Sequence, residues 1–277
     1  MRRSIIALAA ALFSVCACQQ PKLVILHTND THSHYEPVRG GEENGLGGII
    51  ERAAFVDSIR TAYGKDKVLL LHAGDFSQGT PYYSELGGQL EPRMINDLAY
   101  DCVTLGNHEF DNDIESLTER LKKLNPATKV VCANLDLSPF ELGEIVKPYA
   151  IVNRAGMKIG IIGLESDIST SVMNTISSRM QQLDNVEVTN RWADYLHETE
   201  KCDLIILLSH AGYDKDQEIV PQTRWVDLVI GGHTHTFVDD FLYVTNARGK
   251  EVPIITDGRW GLEMGQINVR KVFSFVR

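Results

Sequence analysis

Short apolar runs recur along this chain at Leu23–Leu26, Val68–Leu71, Cys102–Leu105, Val130–Ala133, Lys158–Ile162, Leu204–Leu208, Leu228–Ile230 and Ile254–Ile255. They are rich in Val, Ile and Leu and nearly continuous rather than alternating, which predicts strands covered on both faces. Between them, apolar positions fall at helical spacing. Gly48–Tyr63 places Ile49, Ala53, Val56 and Ile59 on one face, and Ile114–Leu124 repeats this with Ile114, Leu117, Leu121 and Leu124. A third helix is expected from Val188 to about Thr199. Strands alternating with helices predict an α/β architecture. The stretches Tyr35–Gly47, rich in Gly and charge, and Asp167–Ser178, rich in Ser and Thr, read as loops at the rim of a cleft. No long linker interrupts residues 23–277, which read as a single domain.

Composition changes this picture little. The 277 residues are 43% hydrophobic and 23% charged, enough for one large core and far from a disordered composition. The formal net charge of −10 argues against a nucleic acid polymer, which needs clustered Lys and Arg on its phosphates. It leaves room for a small phosphorylated substrate, because bound cations would reverse the local field.

The N-terminus reads as an export signal. Arg2-Arg3 precede an apolar stretch from Ile5 to Val15 that is too short to span a bilayer. Val15-Cys16-Ala17-Cys18 resembles a bacterial lipobox, implying a signal peptide of residues 1–17, lipidation of Cys18 and a short tether over 18–22. Periplasmic or cell-surface display follows, with the membrane touched only through that lipid anchor. Cys102, Cys132 and Cys202 then remain, an odd number partly inside apolar runs, and are expected to be free thiols.

The chemistry lies where five of the runs end. They finish in Asn29-Asp30-Thr31-His32, Gly74-Asp75-Phe76, Gly106-Asn107-His108-Glu109-Phe110-Asp111, Ser209-His210-Ala211-Gly212 and Gly231-Gly232-His233-Thr234-His235. In open α/β sheets, sites form at the carboxyl ends of strands, where such segments converge. Asp30 and His32, two positions apart, suit one ion, and Asp75 supplies a carboxylate able to bridge two. Asn107 adds an amide oxygen, and His210, His233 and His235 add imidazoles. Mixed nitrogen and oxygen donors suit Mn²⁺, Zn²⁺ or a similar ion better than Mg²⁺ or Ca²⁺. Taken singly, each residue reads equally as a turn, cap or buried polar group. Together they hold five of the nine histidines of the chain, which chance placement does not explain.

These motifs, in this order, resemble the calcineurin-like metallophosphoesterases, and within them the catalytic domain of bacterial 5′-nucleotidases. The similarity extends through Gly74-Asp75-Phe76-Ser77-Gln78-Gly79-Thr80-Pro81 and Val226–Thr236 and covers about Leu23 to Val269. It implies a four-layer α-β-β-α sandwich of two mixed sheets flanked by helices. It implies one divalent ion on Asp30, His32, Asp75 and His235, and another on Asp75, Asn107, His210 and His233. His108 would sit by the phosphate, oriented by Asp111. Two cations sharing a carboxylate would lower the pKa of a water between them and so supply hydroxide near neutral pH. The implied reaction is hydrolysis of a phosphate monoester, a 5′-nucleotide above all, to nucleoside and phosphate.

Relatives of that kind carry a further C-terminal domain for the nucleobase, which nothing after Val269 would build. Nucleoside specificity therefore does not carry over. A separate polypeptide could supply that domain, or the substrate could be a phosphodiester, such as a 2′,3′-cyclic nucleotide, or a nucleotide-sugar pyrophosphate. A non-enzymatic receptor on the same fold would have lost a ligand or the His108/Asp111 pair, and all are present. Among residues outside the motifs, His27, His34 and His197 read as core or surface residues, and His72 as a strand residue close to the ligands. Trp192 reads as helix packing, Trp225 and Trp260 as packing or cleft wall, and Arg39 and Arg259 as possible substrate contacts.

Overall fold

The computed structural model describes residues 21–271 and 274–276, so the signal segment 1–17 and Cys18 lie outside the described residues. Seven strands form one sheet in the order Ser274–Val276, Gly265–Lys271, Leu23–Thr28, Val68–His72, Cys102–Thr104, Lys129–Val131 and Val146–Lys147. Six form a second, in the order Leu242–Thr245, Glu251–Ile255, Leu228–Ile230, Leu204–Ser209, Met157–Leu164 and Tyr149–Arg154. The inner strands of both run parallel. Antiparallel strands close both edges of the second sheet and one edge of the first, whose other edge strand, Val146–Lys147, pairs in parallel.

Alternation within each strand explains the continuous apolar runs. Leu23 and Ile25 point between the sheets and meet Leu69, Leu71, Ile161, Ile206 and Ile230. Val24 and Leu26 point outward, under helices contributing Val56, Ile95, Ile114 and Leu117. On the far side, Ile205, Leu207 and Val229 pack against Val188, Ala193 and Leu196 of the helix Asn185–Glu198. The result is a single-domain four-layer sandwich, helices–sheet–sheet–helices, as the resemblance implied. Both faces of each inner strand are dry, so neither face needs polar residues.

The eight expected strands all form, most of them a residue or more longer than their apolar runs. The three expected helices form at Ile49–Tyr63, Asp113–Leu121 and Asn185–Glu198. Helices Pro81–Leu86, Leu90–Leu98 and Tyr213–Ile219 were not foreseen, nor were strands Tyr149–Arg154, Leu242–Thr245 and Gly265–Lys271. Those strands are edge or antiparallel elements with one wetter face, so their apolar residues alternate and no run marks them. Cys102, Cys132 and Cys202 are free, as expected. Among the described residues, no helix is long and apolar enough to cross a membrane.

Candidate metal centre

All five motif segments leave the carboxyl ends of parallel strands, three from the first sheet and two from the second. Backbone hydrogen bonds then knit the loops together. Asp30 N–H donates to Gly74 O at 2.9 Å, His32 N–H to Asp75 O at 3.0 Å, and His210 N–H to Leu164 O at 2.8 Å. Asp30, His32, Asp75, His233 and His235 all adopt left-handed backbone, with φ of 48°, 46°, 54°, 76° and 54°. Non-glycine residues rarely enter that region, and their concentration here is strain gathered at one site.

Three overlapping groups of donor atoms result, of which one, His32, Asp75 and His108, shares a member with each of the two described next. Asp30, His32 and His235 form one: His235 Nε2 lies 3.3 Å and His32 Nε2 3.7 Å from Asp30 Oδ1, and the two imidazole nitrogens face each other at 2.9 Å. Asp75, His210 and His233 form the other, with His210 Nε2 3.1 Å from Asp75 Oδ2. Asn107 joins it through Oδ1, 3.0 Å from His233 Nδ1. Asp75 Oδ2 is also 3.8 Å from His32 Nε2, which places this carboxylate between the groups. A Cβ at Gly106 would overlap Asp75 Oδ1 and come 2.8 Å from His210 Nε2, so only glycine lets this loop pass so close.

The donor set fits a divalent ion on two further observations. Asp30 Oδ1 and His210 Nε2 are buried, make no well-formed hydrogen bond and face only the other proposed donors at 3.1–3.9 Å, a costly arrangement unless something is bound among them. His210 Nδ1 lies 2.7 Å from Ala73 O, which assigns the proton to Nδ1 and leaves the Nε2 lone pair for a ligand bond. Burial lowers the pKa of His32 and of His233, favouring the neutral donor form in both. For Asp75 and His210, burial opposes each charge, but mutual attraction outweighs it. The carboxyl is held below the usual range and the imidazole well above it. A cation bound between them would take over that role and displace the His210 proton from Nε2.

His108 stands beside this centre, its ring 5.3 Å from that of His32 and one third exposed. Its Nδ1 lies 2.9 Å from Asp111 Oδ2. That hydrogen bond, working against burial, raises its pKa to about 9.

The remaining sequence candidates separate. His72 Nε2 bonds Thr31 Oγ1 at 2.9 Å and so buttresses the Asp30–His32 loop without joining the donor groups. His27 is buried against Asp257, and His197 stacks on Trp225 away from the centre. Arg39 pairs with Glu36, and Arg259 lies 3.6 Å from Glu43 and over the ring of Trp260. The loop beginning at Tyr35 and the segment beginning at Asp167 each line a cavity, the second together with His233.

Sequence reasoning assigned no role to Glu109. Fully buried, it accepts the backbone N–H of Asp75 at 2.9 Å, of Ser77 at 3.0 Å and of Gly106 at 2.7 Å. Arg120 locks it in place, donating to Glu109 O and Ser77 Oγ. The available signal was a Glu three residues after Gly106, the spacing at which a side chain turns back onto a helix start.

Comparison with known proteins identifies the family. A family model for calcineurin-like phosphoesterases matches residues 23–237. The chain belongs to that family. This calcineurin-like phosphoesterase is 33% identical over 270 residues to a snake venom 5′-nucleotidase of Naja atra, covering 90% of the chain and 50% of that protein. It superposes on a 5′-nucleotidase precursor from Thermus thermophilus with a TM-score of 0.82 and 31% identity, over 92% of the chain and 53% of that structure. An NAD nucleotidase from Haemophilus influenzae gives a TM-score of 0.80 and 29% identity, over 92% and 49%. The phosphoesterase thus spans about half the length of the relatives it matches.

Proposed function

We propose that this chain is a metal-dependent hydrolase of phosphate monoesters, 5′-nucleotides above all, releasing nucleoside and phosphate. The observation that carries the reading is Asp75: its carboxylate lies 3.1 Å from His210 and 3.8 Å from His32, where one side chain can serve two ions. Asp30, His32, Asp75 and His235 would hold one divalent ion, Mn²⁺, Zn²⁺ or similar. Asp75, Asn107, His210 and His233 would hold the other. When bound, such ions supply an activated water and neutralise charge on phosphoryl oxygens.

The chain's own residues supply the rest. Glu109 fixes the spacing of the Asp75 and Asn107 loops, so the ligands need little reorganisation. His108, held by Asp111 in a hydrogen bond that favours its charged form, groups with His32 and Asp75, ligands proposed for the two ions. On this reading its Nε2 would bind a phosphoryl oxygen and pass its proton to the leaving alkoxide. Nearby cations would lower its pKa from about 9 towards neutrality, where that transfer is most effective.

The likeness to an NAD nucleotidase favours a second reading, in which pyrophosphates or diesters of nucleotides are cleaved at the same centre. We also read residues 1–17 as an export signal and Cys18 as the lipid anchor of a periplasmic or surface protein. A separate chain carrying a nucleobase-binding domain is a compatible partner.

The test is phosphate release after chelation and re-addition of Mn²⁺ or Zn²⁺, with AMP, an aryl phosphate, a cyclic nucleotide and a nucleotide sugar compared side by side. Metal-restored release from AMP is expected. Turnover of only the cyclic nucleotide or nucleotide sugar would move the assignment to the second reading, and turnover of none would refute both for the isolated chain.

A further inference from the structure

A cavity of about 650 Å³ opens beside the Asp30–His32–His235 group, within the size range of small-molecule sites. Three of its lining residues, His34, Thr80 and Trp260, are hydrogen-bonded to the backbone that carries Asp30 and His32. His34 follows His32 by two residues and donates its N–H to Thr31 O at 2.9 Å. Thr80 Oγ1 donates to Ser33 O at 2.9 Å, and Trp260 N–H to Asp30 O at 2.6 Å. Trp260 is itself held at φ 60°, a strained conformation for so bulky a residue. The cavity therefore adjoins the loop that carries Asp30 and His32, although its lining includes none of the proposed ligands.

Its chemistry is aromatic. The rings of His34 and Trp260 stack at 4.5 Å and 16°, and those of Tyr35 and Tyr82 meet edge to face at 5.5 Å. Tyr82 and Leu86 keep 38% and 46% of their surface exposed, so their apolar faces are available. Tyr82 Oη donates to Glu36 Oε1 at 2.9 Å, setting a carboxylate at the rim. Trp260 is already flanked by His34 and Arg259, so the open flat face is that of Tyr82. Such a face with a few polar rim groups suits a planar heteroaromatic ring, which every nucleobase presents. A larger cavity near Lys129 and Lys147 begins at the amino end of its strand, away from the centre, and both ammonium groups are already bonded to backbone carbonyls.

Granted phosphoester hydrolysis at the centre, on which this rests, the ester's leaving group must extend from the ions into an adjoining space. We propose that the cavity between His34, Tyr35, Tyr82 and Trp260 seats that leaving group's aromatic base. The domain then carries a nucleobase subsite of its own.

Adenosine, which has no phosphate to hydrolyse, tests the subsite apart from the chemistry. Equilibrium dialysis of adenosine against the Mn²⁺-loaded chain should show binding to wild type and to Tyr82→Phe, which keeps the ring. Binding by Tyr82→Ala should be about tenfold weaker, the usual effect of removing one stacking ring. Wild type should also show a lower KM for AMP than for ribose 5-phosphate. Equal KM values with no adenosine retained would overturn the subsite and leave the phosphoesterase reading intact. Equal retention by wild type and Tyr82→Ala would likewise overturn it. Adenosine retained normally, lost in Tyr82→Ala, but with no ester hydrolysed, would uphold the subsite and sink the function proposed for the centre.

Discussion

Glu109 accepts the backbone N–H of Asp75 at 2.9 Å, so a residue with no predicted role holds the loop of the proposed bridging ligand. The same carboxylate takes the N–H groups of Ser77 and Gly106, tying together loops from two neighbouring strands. Burial, with Asp75 nearby, raises its pKa to about 8, a sign of how costly its charge is there. Glu109→Gln would turn an amide N–H₂ towards at least one of those donors. Metal affinity, measured by titration of the chelated chain, should fall about 10- to 100-fold, as for other groups that orient ligands. Unchanged affinity would mean that the loops keep their spacing without it.

Asp75→Ala removes a donor from both proposed ion sites. Metal content by atomic absorption should drop below two ions per chain, and turnover should fall with it. Retention of both ions would contradict the bridge.

His108→Ala removes no proposed ligand. Bound metal should stay near the wild-type level while turnover falls by about 10²–10⁴. Asp111→Asn should produce a smaller loss in the same direction, because the hydrogen bond that chiefly raises the His108 pKa is weakened. A His108 variant with full turnover would remove it from the mechanism.

A separate pH effect concerns Asp216, a fully buried carboxyl behind the centre. Its Oδ1 accepts from Ser209 Oγ at 2.6 Å, and Oδ2 has no partner. Burial raises its pKa from 3.8 to about 7. Between those values the folded chain keeps a proton that the unfolded chain has released, so this group's contribution to stability falls as pH rises from about 4 to about 7. Asp216→Asn keeps the acceptor for Ser209 and cannot ionise. In urea unfolding with chelator present, the variant should match wild type near pH 4. Above pH 7 it should exceed it by on the order of 2–4 kcal/mol. Parallel curves across this range would show that Asp216 does not titrate as described.

Much of the architecture was legible because its inner strands are dry on both faces. Leu23–Leu26 and Leu204–Leu208 needed no polar position, and their unbroken runs marked them directly. Tyr149–Arg154 has a wetter face and escaped notice, as did Pro81–Leu86, whose Tyr82 and Leu86 face solvent. The candidate ligands were legible for a different reason. Carboxylates and imidazoles crowded at strand ends are chemically expensive, and few structural needs place them there.

Glu109 and Asp216 show the limit. In sequence, Asp216 cannot be told from its exposed neighbour Asp214, since a step of two residues along the helix is about half a turn and sends one inward and the other out. The order of motifs along the chain, and the residue types within them, were set by the sequence itself. Only the tertiary structure decided that Asp75 stands between two groups drawn from strands far apart in the chain. It also decided that Trp260, held through its N–H to Asp30, closes an aromatic cavity beside them. Such relations depend on long-range packing of two sheets, and no local pattern encodes a distance across that packing.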